Sequence, residues 1–407
     1  MTQLLNADAH GIRDAVRAYA TKRLAPGYLQ RAKSSMFPWD LHREIADLGI
    51  YGLLAGEEYN PLEREDFVAA GVAVEELAYA DFNVANMTIP VMLMSTLIRH
   101  HASDVVVERW LPRLVAGETY VAFGLTEPET GSDAANIKTV ARATANGYII
   151  SGEKTSVTML AEAEAIILAA RTIRDGEDVG VSTFLVPLDA RGIATSAVPD
   201  TGWGILGRGV LHLDGVEVPP ENLIGLEGRA FSRVLNGFDF TRPLLALTGL
   251  GAARASLDET AEYVRRRTAF GEPLAKFEGV SFPIAEHLTK VEAARLICYA
   301  ALEKRTLGLP HTSDAAMAKW YGPLVASAAV KECLLLHGNY GYSTEPPFEQ
   351  RLRDVMSVEI ADGTAQIQKI IIMREKYGTD FVPYERRGAG AVSPGQRGPA
   401  HPVSAVP

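Results

Sequence analysis

The hydrophobic pattern of this chain changes period twice, and that order limits the architectures open to it. Apolar residues recur at helical spacing to about residue 120. Short apolar and alternating runs follow from about 121 to 230, and helical spacing returns from about 231 to 378. Helices, then strands, then helices, without βαβ alternation, specify an α+β architecture. The 407 residues divide accordingly into an N-terminal helical domain (1–120), a β domain (121–230), a C-terminal helical region (231–378) and a tail (379–407).

Local signals support each part. Leu41, Ile45 and Leu48 follow Pro38-Trp39-Asp40 at helical spacing, and Gly49 stands where a helix would end. Residues 66–79 are periodic, and 108–115 stop before Gly117. In the middle region Val121, Phe123 and Leu125 alternate, Asn146-Gly147 predicts a hairpin turn, and 165–170 and 183–186 read as short strands. Leu257, Ala261 and Val264 share one helix face, as do Ile284, Leu288, Val291 and Leu296. Residues 361–377 close the ordered part, with Thr364 placed to N-cap the run containing Ile367, Ile370 and Ile371. The tail holds four glycines and five prolines with few large apolar residues, and is expected to be disordered.

Charge and cysteine content narrow the function. Fifty acidic against 40 basic residues give a net charge of −10, which argues against nucleic acid or an anionic membrane as partner. Cys298 and Cys333 alone cannot build a disulfide scaffold or a four-cysteine metal site, and fit a reducing compartment. Residues 87–98, the most apolar stretch, are too few to span a bilayer and contain Pro90, and charge interrupts the N-terminus; the reading is a cytoplasmic protein. No nucleophile elbow, P-loop, H-E-x-x-H or C-x-x-C is present. His100-His101 are adjacent and cannot face one metal, so no metal is expected. Gly249-Leu250-Gly251 lies in a helical context and is not a dinucleotide fingerprint.

Three segments can carry chemistry. Residues 125–133, Leu-Thr-Glu-Pro-Glu-Thr-Gly-Ser-Asp, are either a polar loop or a cradle whose hydroxyls and N–H groups hold a heterocycle or phosphate. Arg265, Arg266 and Arg267, before Thr268-Ala269-Phe270-Gly271, complement a helix dipole or grip a pyrophosphate. Asp362, before Gly363-Thr364, is a helix cap or a general base.

Together these segments resemble the flavin-dependent acyl-CoA dehydrogenase family over nearly the whole chain to about Gly378. The likeness is carried by Trp110-Leu111-Pro112 through Gly117-Glu118, Thr126-Glu127-Pro128 with Gly131-Ser132-Asp133, and Arg267 through Phe270-Gly271 and Pro273-Leu274. Gly338-Asn339-Tyr340-Gly341-Tyr342, Arg353-Asp354 and Gly363-Thr364 complete it in order. The resemblance implies an N-terminal helical domain, a middle β domain and a C-terminal four-helix bundle, assembled as a homotetramer. It implies bound FAD, an acyl-CoA substrate and an electron-transfer flavoprotein as acceptor. By position, Phe123, Leu125, Thr126, Gly131, Ser132, Ser156 and Thr158 would surround the flavin, and Thr364 and Gln366 would touch the cofactor near a helix terminus. Arg267 and Phe270 would reach the FAD of a neighbouring subunit, near Gly338 and Asn339. Ser132, Asp239, Arg242, Ala361 and Gly363 would face the substrate. Asp362 would take the α proton while the β hydride passes to flavin N5.

Some positions depart from the family pattern. Most members have Glu where Asp362 stands, and another group carries its base directly before the arginine matched by Arg242, where this chain has Thr241. Ala361 and Ser156 occupy positions often aromatic, and Leu335 replaces a glutamine. Asp362, Ser156 and Ala361 together resemble the branch acting on cyclohexanecarboxyl-CoA and related alicyclic thioesters, since a shorter acid and a missing large side chain leave room for a ring at Cα. Two alternatives are a flavin oxidase of the same superfamily resembling nitroalkane oxidase, and a non-catalytic flavin-binding protein.

Overall fold

The computed structural model describes residues 7–60 and 62–382, with side chains for all of these except 230–236. Six helices come first: α1 (Ala7–Tyr19), α2 (Tyr28–Ala32), α3 (Trp39–Asp47), α4 (Phe67–Ala80), α5 (Phe82–His101) and α6 (Asp104–Val115). Asp66 caps α4 by accepting from the Ala69 N–H, and Asp81 caps α5 by accepting from Asn83 and Val84. Both helices are apolar nearly all round because they are central. α5 contains the apolar 87–98 stretch and is buried against protein; no helix of the described residues is long and apolar enough to cross a membrane.

Eight strands follow: β1 (Val121–Gly124), β2 (Val140–Thr144), β3 (Gly147–Thr158), β4 (Ala165–Arg174), β5 (Glu177–Pro187), β6 (Ile193–Val198), β7 (Arg208–Val218) and β8 (Leu223–Ile224). They form one sheet in the order β6-β7-β3-β2-β4-β5-β8, with β1 parallel to the first part of β4 and β2 parallel to its last part. Several strands are longer than the sequence pattern indicates, because β4 is buried on both faces and loses its alternation. The β2–β3 loop is Ala145-Asn146, with Thr144 paired to Gly147, so the turn lies one residue earlier than Asn146-Gly147 predicts. The sharper signal is Asp175-Gly176, whose positive φ angles of 53° and 87° join β4 to β5.

The rest is helical: α7 (Ala230–Arg266), α8 (Glu278–Thr306), α9 (Thr312–Leu336), α10 (Asn339–Tyr342), α11 (Phe348–Ser357) and α12 (Ala365–Tyr377). A small hairpin, β9 (Thr268–Ala269) and β10 (Glu272–Pro273), separates α7 from α8. On α8, Ile284 and Val291 are buried, but Leu288 and Leu296 are exposed on this chain, contrary to the shared buried face expected of them. The expected tail begins with a short 3₁₀ turn, Thr379–Phe381; its remainder, from residue 383, lies outside the described residues.

A buried carboxylate locks distant parts together. Asp354 on α11 accepts from Tyr28 Oη, Asn83 Nδ2 and Gln350 Nε2, each at 3.0 Å, and from the Trp203 N–H at 2.9 Å. Four donors offset the cost of burying this charge, and the bonds tie α2, α5 and the β6–β7 connection to α11.

Candidate active site

Asp362 lies in the turn between α11 and α12. The chain reverses there through two left-handed residues, Asp362 at φ 51° and Gly363 at φ 98°. Aspartate tolerates this conformation and glycine favours it. A side chain at Gly363 would also meet Gln368 Nε2 at 2.6 Å. That nitrogen donates to the carbonyls of Asp362 and Gly363, both at 3.0 Å. Lys319 Nζ, buried on α9, donates to Val358 O at 2.6 Å and Gly363 O at 3.4 Å, and Arg242 Nε donates to Asp362 O at 3.4 Å. The turn's backbone is thus held from α7, α9 and α12.

The carboxylate itself is held by one hydroxyl, with Thr241 Oγ1 donating to Oδ2 at 2.7 Å. Burial raises the Asp362 pKa above the usual carboxylate range, while the Thr241 bond and the charges of Lys319 and Arg242 pull it down. Burial also pushes the Lys319 ammonium down to about 8, against the opposing pull of Asp362. A carboxylate in such surroundings suits a general base near neutral pH.

Arg242 and Asp239, one helical turn apart on α7, form a buried ion pair at 2.8 Å. The second Asp239 oxygen accepts from Thr312 Oγ1 at 2.6 Å. Both carboxylate oxygens are therefore engaged within the chain. Phe238 lies 6.0 Å from the Arg242 guanidinium and meets Phe123 of β1 edge-to-face at 5.8 Å. Phe123, Asp239, Arg242, Ala361, Asp362 and Gly363 are thereby gathered where β1, α7 and the turn before α12 converge.

Beside them, Leu125 and Thr126 leave β1 and enter a tight turn in which Glu127 and Thr130 pair backbone to backbone at 3.0 and 3.1 Å. Gly131 and Ser132 are exposed beyond it. A β-bulge between Lys154 and Val157 puts Ser156 at φ 58° with its side chain exposed, and Thr158 follows, half-buried. Thr364 occupies the N-cap position of α12, but its side chain makes no capping bond; Gln366 is exposed in the first turn.

The remaining candidates form a separate group. Arg267 follows the end of α7, roughly 37 Å along the helix from Arg242 at 1.5 Å per residue. Phe270 and Gly271 make a turn with φ 52° and 84°, leaving Phe270 97% exposed. Tyr263 stacks on His337 at 4.1 Å, which brings Gly338 and Asn339 to the same end. Arg267 is exposed and has no ion pair among the described residues.

The donor set fits FAD. The β-domain rim offers the neutral hydroxyls of Thr126, Ser132, Ser156 and Thr158 beside Phe123, as a polar heterocycle needs, and a side chain at Gly131 would enter open space. The guanidinium of Arg267 suits a phosphate.

The sequence profiles of three acyl-CoA dehydrogenase domains match the chain: the N-terminal domain over residues 6–118, the middle domain over 122–216 and the C-terminal domain over 228–377. The chain belongs to the acyl-CoA dehydrogenase family of FAD-dependent oxidoreductases. It is 33% identical over 359 residues to the short-chain specific acyl-CoA dehydrogenase of Megasphaera elsdenii, covering 87% of this chain and 94% of that protein. The structure of butyryl-CoA dehydrogenase from Megasphaera elsdenii superposes with a TM-score of 0.86 at 31% identity, covering 90% of this chain and 97% of that one. A glutaryl-CoA dehydrogenase from Mycobacterium smegmatis in complex with FADH2 gives a TM-score of 0.86 at 25% identity, covering 93% and 97%. These relatives carry short-chain, butyryl-CoA and glutaryl-CoA names, and they do not show an alicyclic branch.

Sequence reasoning missed Phe238, Lys319 and Gln368 as parts of the site: Phe238 meets Phe123 and Lys319 meets the Val358–Gly363 turn across long sequence separations, while Gln368 folds back locally onto the carbonyls of Asp362 and Gly363, which no motif marks. It passed over Glu127 and Lys154 as the anchor of the 125–133 loop. Lys154 within β3, flanked by strand residues, is the one cue that a charge is buried there.

Proposed function

We propose that the chain dehydrogenates an acyl-CoA thioester between Cα and Cβ, with Asp362 as the base. The observation that carries this is the half-buried Asp362 carboxylate, raised in pKa and held in a fixed turn beside Phe123 and Phe238. Bound FAD supplies the hydride acceptor. Asp362 takes the α proton, and its own backbone N–H is offered to the thioester oxygen, where negative charge develops. Arg242, neutralised by Asp239, holds the backbone of the base in place. Phe123, Leu125, Thr126, Ser132, Ser156 and Thr158 line the cofactor side.

The acyl group we favour is alicyclic. Ala361 and the short Asp362 leave volume at Cα that a glutamate beside a large side chain would fill. Arg267 and Phe270, beyond the far end of α7, and Gly338 and Asn339, brought to that end by the Tyr263–His337 stack, lie too far from Asp362 to share one cofactor's ring with it, and are assigned to the FAD of a neighbouring subunit in a homotetramer. Electron-transfer flavoprotein is the acceptor, in the cytoplasm.

The test is anaerobic mixing of the holoenzyme with butyryl-CoA, isovaleryl-CoA, glutaryl-CoA and cyclohexanecarboxyl-CoA while the flavin spectrum is recorded. Asp362→Asn should keep FAD and bind acyl-CoA, yet reduce flavin roughly 10²–10⁴-fold more slowly. An Asn variant at wild-type rate would remove the base assignment. Asp362→Glu should harm cyclohexanecarboxyl-CoA more than butyryl-CoA; equal loss on both would remove the alicyclic assignment.

A further inference from the structure

Thr241 occupies the position where another group of the family carries its base, and a hydroxyl there cannot abstract the α proton. The structure nevertheless places it against the base. We propose that Thr241 is the positioning residue of Asp362: its hydroxyl fixes Oδ2, so that Oδ1 is the oxygen presented to the α proton. This rests on the reading of Asp362 as base.

Three observations support it. First, the bond is short, 2.7 Å from Thr241 Oγ1 to Asp362 Oδ2, and it is the carboxylate's one side-chain hydrogen bond among the described residues. The other restraints on this residue, from Arg242 and Gln368, go to its backbone carbonyl and leave the side-chain torsions free. Second, Thr241 is 1% exposed, so its hydroxyl cannot trade this partner for bulk water. Third, one proton has two acceptors in reach: Asp362 Oδ2 and, at 3.4 Å, Phe238 O. While the carboxylate is ionised the shorter, charge-assisted bond wins. Once Oδ1 carries the proton, that advantage falls, and the helix carbonyl remains as an alternative partner inside the same pocket.

The sign of the effect follows. A hydroxyl donating to the ionised form lowers the pKa of that acid. Of the charged groups around it, Arg242 with Asp239 on α7 and Lys319 on α9 face the carboxylate most directly, with Glu359 in the turn and Arg374 on α12 acting through them. None of these changes when Thr241 is truncated. Loss of the hydroxyl alone should therefore raise the pKa on which flavin reduction depends.

The experiment uses holoenzyme variants Thr241→Val and Thr241→Ser, with Asp362→Asn as reference, and whichever of butyryl-CoA and cyclohexanecarboxyl-CoA reduces the wild-type flavin faster. The pH dependence of the reduction rate is measured at saturating substrate. For Thr241→Val the rising limb should move up by about one pH unit, with a rate about tenfold slower at the acid end of that limb and little difference on the plateau, and KM should change little. Thr241→Ser should restore the wild-type profile. If Thr241→Val loses FAD, Thr241→Ala, which only removes atoms, carries the same test. A Val or Ala variant with the wild-type profile and rate would overturn the proposal while Asp362→Asn stays inactive. An active Asp362→Asn would overturn the base assignment, and this proposal with it.

Discussion

Lys154 Nζ stands 2.7 Å from Glu127 Oε1, and neither side chain reaches solvent: 0% and 4% of them is exposed. The carboxylate also accepts from the backbone N–H of Lys138 and, at 2.9 Å, of Thr139, while the ammonium reaches Leu125 O at 3.2 Å. Burial alone would raise the Glu127 pKa, but the bonds from Lys154 and Lys138 lower it; burial brings Lys154 down to about 8. The pair pins both ends of the 125–139 loop to β3.

Lys154→Met should destabilise the protein by about 3–5 kcal/mol, since it leaves a buried carboxylate unpaired. The urea midpoint should fall, and flavin content with it. Lys154→Met combined with Glu127→Gln should recover part of both, because no charge is then stranded. Equal losses in the single and double variants would contradict the account.

Asp354 offers a second check on buried charge. Asp354→Ala strands four donors from Tyr28, Asn83, Trp203 and Gln350. A loss on the order of 3–5 kcal/mol is expected in chemical denaturation. Trp203, whose Nε1 also donates to Asp354 O at 3.1 Å, should report the loosening by its fluorescence.

The two period changes were legible in the sequence because they depend on residues close together along the chain. The turn at Asp362-Gly363 was legible too, although the pattern by itself left Asp362 open between a helix cap and a general base, and only the family resemblance favoured the base. Thr241 was not, because its partner lies 121 residues away and no local spacing encodes that contact. Lys319 reads as a surface residue of an amphipathic helix; only burial under the Val358–Gly363 turn gives it another role. The face assigned to Leu288 and Leu296 failed for a related reason. Apolar spacing on α8 marks a surface to be covered, without saying whether the cover belongs to the same chain.

His42 gives stability a pH dependence. The ring is fully buried, packed against Phe37, Trp39 and Tyr120, with Nδ1 2.6 Å from Tyr51 Oη. Burial lowers its pKa from 6.5 to about 4. Between those values the unfolded chain binds a proton that the folded chain refuses, so stability falls as pH falls through that window. Lowering the pKa from 6.5 to about 4 corresponds to roughly 3 kcal/mol in full, of which about 2 is lost between pH 7 and pH 5. His42→Phe removes the titrating group. Its urea midpoint should fall less over that interval than the wild type's, whatever constant offset follows from the lost Tyr51 partner. Parallel pH slopes would show that His42 does not titrate as described.

Phe270 separates the needs of the chain from those of its proposed assembly. It is 97% exposed, sits at φ 52°, and faces the Phe277 ring edge-to-face with centroids 6.2 Å apart. Within one chain it buries little and its backbone is strained, so Phe270→Gly should relieve strain and leave the fold intact, within about 0.5 kcal/mol of wild type or slightly more stable. If a neighbouring subunit's FAD is what covers the ring, the same change should cost affinity there. The expected result is an unchanged circular dichroism spectrum with a lower flavin-to-protein ratio after gel filtration. The fraction of FAD retained should fall further as the protein is diluted, because mass action links cofactor retention to assembly. Arg267→Ala should act in the same direction and more strongly, through the loss of a charge-assisted phosphate contact worth roughly 1.5–3 kcal/mol. A Phe270→Gly variant that keeps full FAD at every dilution would leave the exposed ring without a cofactor role. A variant that retains FAD as a monomer would place Arg267 outside any shared site.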